Sequence, residues 1–196
     1  LPMMQEIIEK QVQSFDNKVV SVNPWLKNLM SNQVGYVMQG REATQEETDA
    51  FMFTQNTITN IWMFKRWPSL ALLNPYYLRA KKVSDNFRSK LIAWNRDRSS
   101  KSLETYMDKI EEGRKGKPEW FTDGDVEAHA MLPYVGGVDT AGGTHCFILY
   151  ELLNHPELLP RLRAEVDEAY ANGSPDHETL DGMNDLHGFI LECMRL

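Results

Sequence analysis

Residues 133–141 read Pro-Tyr-Val-Gly-Gly-Val-Asp-Thr-Ala, inside a run from Thr122 to Asn154 that is apolar at almost every helical position. A helix of that length without a polar face is expected to cross the middle of a domain rather than lie on it. Thr122 and Asp125 resemble a capping box with aspartate in place of the usual Glu or Gln, and His155-Pro156 supplies the stop. The helix is therefore predicted over about 123–154. Intrinsic propensity argues against its centre: Gly136 and Gly137 together cost up to about 2 kcal/mol relative to alanine, and Pro133 removes a further hydrogen bond. Either the glycines form a packing kink where two helices cross, or they open the helix so that another group approaches its backbone beside Asp139 and Thr140, an acid and a hydroxyl able to pass protons. On these residues alone both readings stand.

Upstream, Met4, Ile8, Val12 and Phe15 mark a first helix, and Asn23-Pro24 opens a second that stops at Gly40. After the polar stretch Arg41 to Thr48, a third runs through Phe51, Ile58, Ile61 and Trp62 until Pro68. Asn74-Pro75 opens a fourth, through Val83, Phe87, Leu91 and Trp94 to about Ser99-Ser100. A short helix through Leu103, Met107 and Ile110 leads into an exposed loop from Gly113 to Pro118. Downstream, one helix carries Leu159, Leu162 and Val166 to Asn172-Gly173, and a last one occupies about 185–196. No hairpin signals, repeats or low-complexity segments occur, so residues 1–196 are expected to form one all-α unit.

Composition narrows the partners. With 28 acidic against 21 basic side chains the net charge is -7, the wrong sign for neutralising phosphates, so nucleic acid is not expected. Cys146 and Cys193 form no CxxC pair, which gives neither a disulfide framework nor a zinc site and suggests a reducing compartment. No stretch approaches about 18 consecutive apolar residues, so the visible chain has no predicted membrane span. Leu1-Pro2 lacks an initiator methionine and Leu196 falls inside a helical pattern, so both ends are expected to be cuts.

The last helix carries Glu192-Cys193-Met194-Arg195, an E-x-x-R segment that puts carboxylate and guanidinium at i and i+3 on one face. Such pairs are common on solvated helices, but the apolar neighbours Phe189, Ile190, Leu191 and Leu196 predict burial here.

Order and spacing now count together. A long helix with G-G-x-D-T, then Asn154-His155-Pro156-Glu157, then E-x-x-R followed by leucine, resembles the I, J and K helices of the cytochrome P450 superfamily, and the interval from Thr140 to Glu192 is similar to that family's. The match is firm from about Thr122 to Leu196; upstream, the helices resemble the family's D to G helices by order and length only. The resemblance implies an internal piece, roughly helices D to K, of a fold that is mixed α/β when complete.

Three departures qualify it. Ala141 stands where the family usually has threonine or serine. No F-x-x-G-x-x-x-C-x-G loop is present, Cys146 and Cys193 being placed in helices, so the axial thiolate lies outside the chain. Trp62 to Arg66 reads W-x-x-x-R, like a propionate-binding segment, but stands too near Thr140 and is a decoy.

The resemblance implies a haem-dependent monooxygenase, with haem b as cofactor, that inserts one atom of dioxygen into an apolar organic substrate. Electrons would come from NAD(P)H through a reductase or a ferredoxin-type donor. Asp139 and Thr140 would be catalytic; Gly136, Gly137, Thr140 and Thr144 would face haem; Leu132, Val135 and Gly136 would meet substrate; Glu192 and Arg195 would be structural. A piece lacking the cysteine loop is expected to be inactive by itself. The alternatives are a non-oxygenase member of the same fold and a cofactor-free helical scaffold. Location would be cytoplasmic in a bacterial member and the endoplasmic reticulum membrane in a eukaryotic one. His129, His145, His155, His177 and His187 show no ligand spacing, so no protein-bound metal is expected apart from haem iron. The basic face between Arg79 and Lys101 reads as solvated, and Trp62, Phe64 and Trp67 as core.

Overall fold

The computed structural model describes residues 2–14, 19–60, 73–97, 104–116 and 119–195. The far end of the third predicted helix, the Trp62 to Arg66 segment and Leu103 lie outside them. Among the described residues the fold is all-α, with nine α-helices: α1 (Pro2–Gln13), α2 (Val22–Gln39), α3 (Gln45–Asn60), α4 (Pro75–Arg96), α5 (Tyr106–Gly116), α6 (Asp123–Asn154), α7 (Leu159–Ala169), α8 (His177–Asp181) and α9 (Asn184–Arg195).

The chain divides into two compact units, Met30–Asp139 and Leu1–Leu29 with Thr140–Leu196, the boundary falling inside α6.

In Met30–Asp139 the core gathers around Tyr134 of α6, which is fully enclosed. Its ring meets Phe87 edge-on at 5.3 Å and Phe51 at 6.0 Å. Gly40 ends α2 with φ 72°, a left-handed conformation that only a residue without Cβ adopts freely. The chain then turns at once into α3, because Thr44 and Glu47 make a reciprocal capping box: Thr44 N donates to Glu47 Oε2 (2.8 Å) and Glu47 N to Thr44 Oγ1 (3.2 Å). α3 thus begins at Gln45, inside the stretch expected to precede it. Asn74 caps α4 through its side chain, with Pro75 in the first turn. α5 continues through Gly116, so the expected loop at Gly113 is helical: paired acids and bases such as Glu111 and Arg114, 3.8 Å apart, favour the extra turn.

In the other unit, Ile7, Leu26 and Leu29 are buried, as are Leu162, Met183 and Cys193. Gln5 Nε2 donates to the Pro175 carbonyl (3.3 Å), and Gln11 Nε2 to Asn28 Oδ1 (3.0 Å). His155-Pro156 ends α6 as expected and leads through a 3-10 turn, Pro156–Leu158, into α7. The short α8, capped by Asp176 on Thr179 N, was not legible as a separate helix.

α6 has the predicted bounds and the predicted cap: Thr122 N and Oγ1 both donate to Asp125 Oδ2, at 2.8 and 2.7 Å. It is α-helical throughout, Pro133 and Gly136–Gly137 included, so of the two readings of the glycines the local opening is not the one that forms. Nor is the helix buried all round. Val126, Ala130, Tyr134, Val138 and Gly142, each four residues from the next, are its buried positions, while Leu132, Tyr150 and Leu153 are exposed.

Candidate functional site

The residues singled out in α6 lie mainly opposite that buried stripe. Leu132, Gly136, Thr140 and Gly143 follow one another at spacings of four, four and three, which is one helical face, and all are exposed. Val135 is exposed beside them, and Asp139 and Thr144 are half-buried at the edges.

The two glycines separate the packing reading from the approach reading. A Cβ on Gly137 would stand 3.1 Å from Val34 Cγ2 of α2, so this glycine is a helix-crossing contact. A Cβ on Gly136 would meet nothing within 4 Å, so no packing inside the described chain requires a glycine there. The same holds for Gly143, two turns further on. A flat prosthetic group fits this arrangement on one count: bare backbone at Gly136 leaves the room that a side chain would fill, on the face that carries the Thr140 hydroxyl.

The E-x-x-R pair forms, with Arg195 Nε donating to Glu192 Oε2 at 2.7 Å. The predicted burial is overturned: the two side chains are 68% and 64% exposed. Their apolar neighbours misled because α9 buries Cys193 and half-buries Leu186, Phe189 and Ile190, whereas Leu191 and Met194 turn outward with the pair. As it stands the pair contributes about 0.2–0.5 kcal/mol. Burial raises the Cys193 thiol above its usual value.

What sequence reasoning missed is how α9 is held. Glu165 of α7 accepts hydrogen bonds from the backbone N–H groups of Asp185 (2.9 Å) and Leu186 (2.8 Å), and Arg161 of α7 makes a two-armed ion pair with Asp185. That pair lowers the Asp185 carboxyl and raises the Arg161 guanidinium. Also missed was the Arg41–Glu47 pair, bidentate at 2.7 and 2.5 Å, with Arg41 4.7 Å over the Trp94 ring and Trp94 Nε1 donating to the Gln39 carbonyl. Burial works to raise Glu47, but the hydrogen bonds from Arg41 and Thr44 and the Arg41 charge outweigh it, leaving the carboxyl below its usual value. The T-x-x-E signature at Thr44 was its one local signal.

Four histidines have local partners: His129 with the Tyr106 hydroxyl (3.2 Å), His145 with the Ala141 carbonyl (2.7 Å), His155 with Glu157 (3.1 Å) and His177 with Asp181 (3.1 Å). Among the described residues no group of three or more His, Cys, Asp or Glu side chains could hold a metal ion, and no helix is long and apolar enough to cross a membrane.

The family model described as Cytochrome P450 matches residues 2–196. Among similar curated proteins, "Cytochrome P450 81Q32" of Catharanthus roseus is 28% identical over 134 residues, covering 68% of this chain and 26% of that protein. "Lithocholate 6-beta-hydroxylase" of Mesocricetus auratus is 26% identical over 154 residues, 74% of this chain and 31% of that protein. "Cytochrome P450 81D1" of Arabidopsis thaliana is 25% identical over 198 residues, 91% of this chain and 38% of that protein. The chain therefore spans well under half the length of these relatives.

Proposed function

The chain belongs to the cytochrome P450 family, and from that premise we propose that the whole protein is a haem-dependent monooxygenase. It inserts one atom of dioxygen into an apolar organic substrate, releases the other as water, and takes two electrons from NAD(P)H through a separate reductase or ferredoxin-type protein. The observation that carries this reading is the open face of α6: Gly136 without packing need, one turn before an exposed Thr140.

Haem, when bound, would supply the oxygen activation and accept the electrons. The chain's own residues position and protonate. Gly136 lets the helix backbone come close, Thr144 borders the same face one turn beyond Thr140, and the side chains of Leu132 and Val135 offer apolar surface to substrate. The Thr140 hydroxyl would hold and pass on a proton at its Oγ1 on that face. Two protons are consumed per turnover, and Asp139 takes them from solvent. Neighbouring helical side chains do not face each other, so water relays the proton from Asp139 to Thr140. Glu192 and Arg195 serve as a structural pair within α9. The scaffold reading is supported at Gly137 alone, where Val34 accounts for the glycine.

Thr140→Ala in the whole protein tests the assignment. Loss of one hydrogen-bond donor at a site of developing charge costs about 2.7–4 kcal/mol. Consumption of NAD(P)H should continue while product falls and hydrogen peroxide rises. An unchanged ratio of product to NAD(P)H consumed removes Thr140 from the mechanism.

A further inference from the structure

Within Met30–Asp139, α3 and α4 pack side by side and leave between them a cavity of about 390 Å³. That volume is in the range of small-molecule sites, about 300–1,000 Å³. Phe53, Val83 and Phe87 give it apolar walls, and charged residues of both helices line it as well.

The charges do not cancel evenly. Glu47 is held by Arg41 and Thr44, Glu46 by Lys90 at 2.6 Å, and Asp49 accepts from Gln45 Nε2 at 2.8 Å. Glu46 and Glu47 thus sit in ion pairs, whereas Asp49 is met only by a neutral amide. Arg79 makes no ion pair with a carboxylate of the described residues, and its guanidinium lies over the Phe53 ring, 5.1 Å from the centroid. A guanidinium placed over a ring keeps its N–H edges available, and those edges match a planar carboxylate in two parallel hydrogen bonds. Asn86, a further lining residue of α4, adds an amide donor.

We propose that the α3–α4 cavity binds a small amphipathic carboxylate, an aryl- or alkyl-carboxylic acid, with its carboxylate on Arg79 and its apolar body against Phe53, Val83 and Phe87. Chemistry on the page narrows the ligand to this class. The apolar walls demand a hydrophobic body, and the acids of α3 disfavour a multiply charged anion such as a phosphate ester. A cationic ligand would meet Glu46 and Glu47 already in ion pairs and the Arg79 guanidinium, which repels it, with Asp49 alone to attract it.

The site is independent of the oxygen-handling residues of α6, and its test does not require turnover. Calorimetric titration of the whole protein with phenylbutyrate, phenylbutanol and phenylbutylamine reads the selectivity. One equivalent of phenylbutyrate should bind, more tightly than either analogue. Arg79→Gln should weaken phenylbutyrate at least about tenfold while leaving phenylbutanol and the thermal midpoint unchanged, since it removes a charge-assisted contact and little packing. Val83→Trp should fill the cavity and remove binding of both; if that variant unfolds, Arg79→Gln decides by itself. Binding unaffected by Arg79→Gln, or no binding up to millimolar phenylbutyrate, overturns the proposal.

Discussion

Gly136 and Gly137 are adjacent in sequence and opposite in demand: the second has Val34 Cγ2 waiting 3.1 Å from where its Cβ would be, and the first has nothing within 4 Å. Gly136→Ala should therefore keep the fold and add up to about 1 kcal/mol of helix propensity, while lowering product formed per NAD(P)H because a methyl now stands on the open face. Gly137→Ala should lower the thermal midpoint, and Val34→Ala in the same protein should restore it. Equal midpoints for the two glycine variants would erase the distinction.

Tyr134 is the residue at the centre of its unit, yet its hydroxyl has no hydrogen-bond partner among the described residues. Burial pushes that phenol far above its usual value, so it stays protonated at any working pH. An unsatisfied buried polar group costs about 1–3 kcal/mol, so Tyr134→Phe should be neutral or stabilising in chemical denaturation. A loss of stability would mean that the hydroxyl is paired.

Acid should weaken the Arg41–Glu47 contact in a defined direction. The Glu47 carboxyl is depressed in the folded state, so its stabilisation is complete above the unfolded value near 4.5 and disappears as pH falls through the lower folded value. Glu47→Gln should cost about 3 kcal/mol at pH 7 and flatten the acid limb of the stability curve. Midpoints measured from neutral pH downward decide it; parallel curves for the parent and variant would show that other carboxylates set the limb.

Glu165 supports the E-x-x-R helix from outside it. Glu165→Ala removes the acceptor for two first-turn amides of α9 and should cost about 1–2 kcal/mol, the range of a lost helix cap. Glu165→Gln, which keeps an acceptor oxygen, should recover part of that loss. Hydrogen exchange at Asp185 and Leu186 is the direct measurement, and unaltered protection in the alanine variant would refute the role.

How much could be read in advance follows from the range of each interaction. α6 was legible to its ends because its start is a four-residue signal at Thr122 and its stop is His155-Pro156. The site face was legible in content but not in state, since spacing groups Gly136 with Thr140 without saying what covers them. Glu192 and Arg195 were misplaced because neighbouring hydrophobicity was averaged, when their angle around α9 relative to Cys193 decides exposure. Arg41 over Trp94 and Glu165 on Asp185 join segments distant in the chain, and no local pattern announces such meetings.

The cap on α9 also ties its start to another helix. The residue before Asn184 is a buried methionine, Met183, whose thioether cannot satisfy first-turn amides as a serine or aspartate would. The acceptor comes instead from Glu165 of α7. A change that shifts α7 therefore reaches the helix on which Glu192 and Arg195 are aligned without touching either residue.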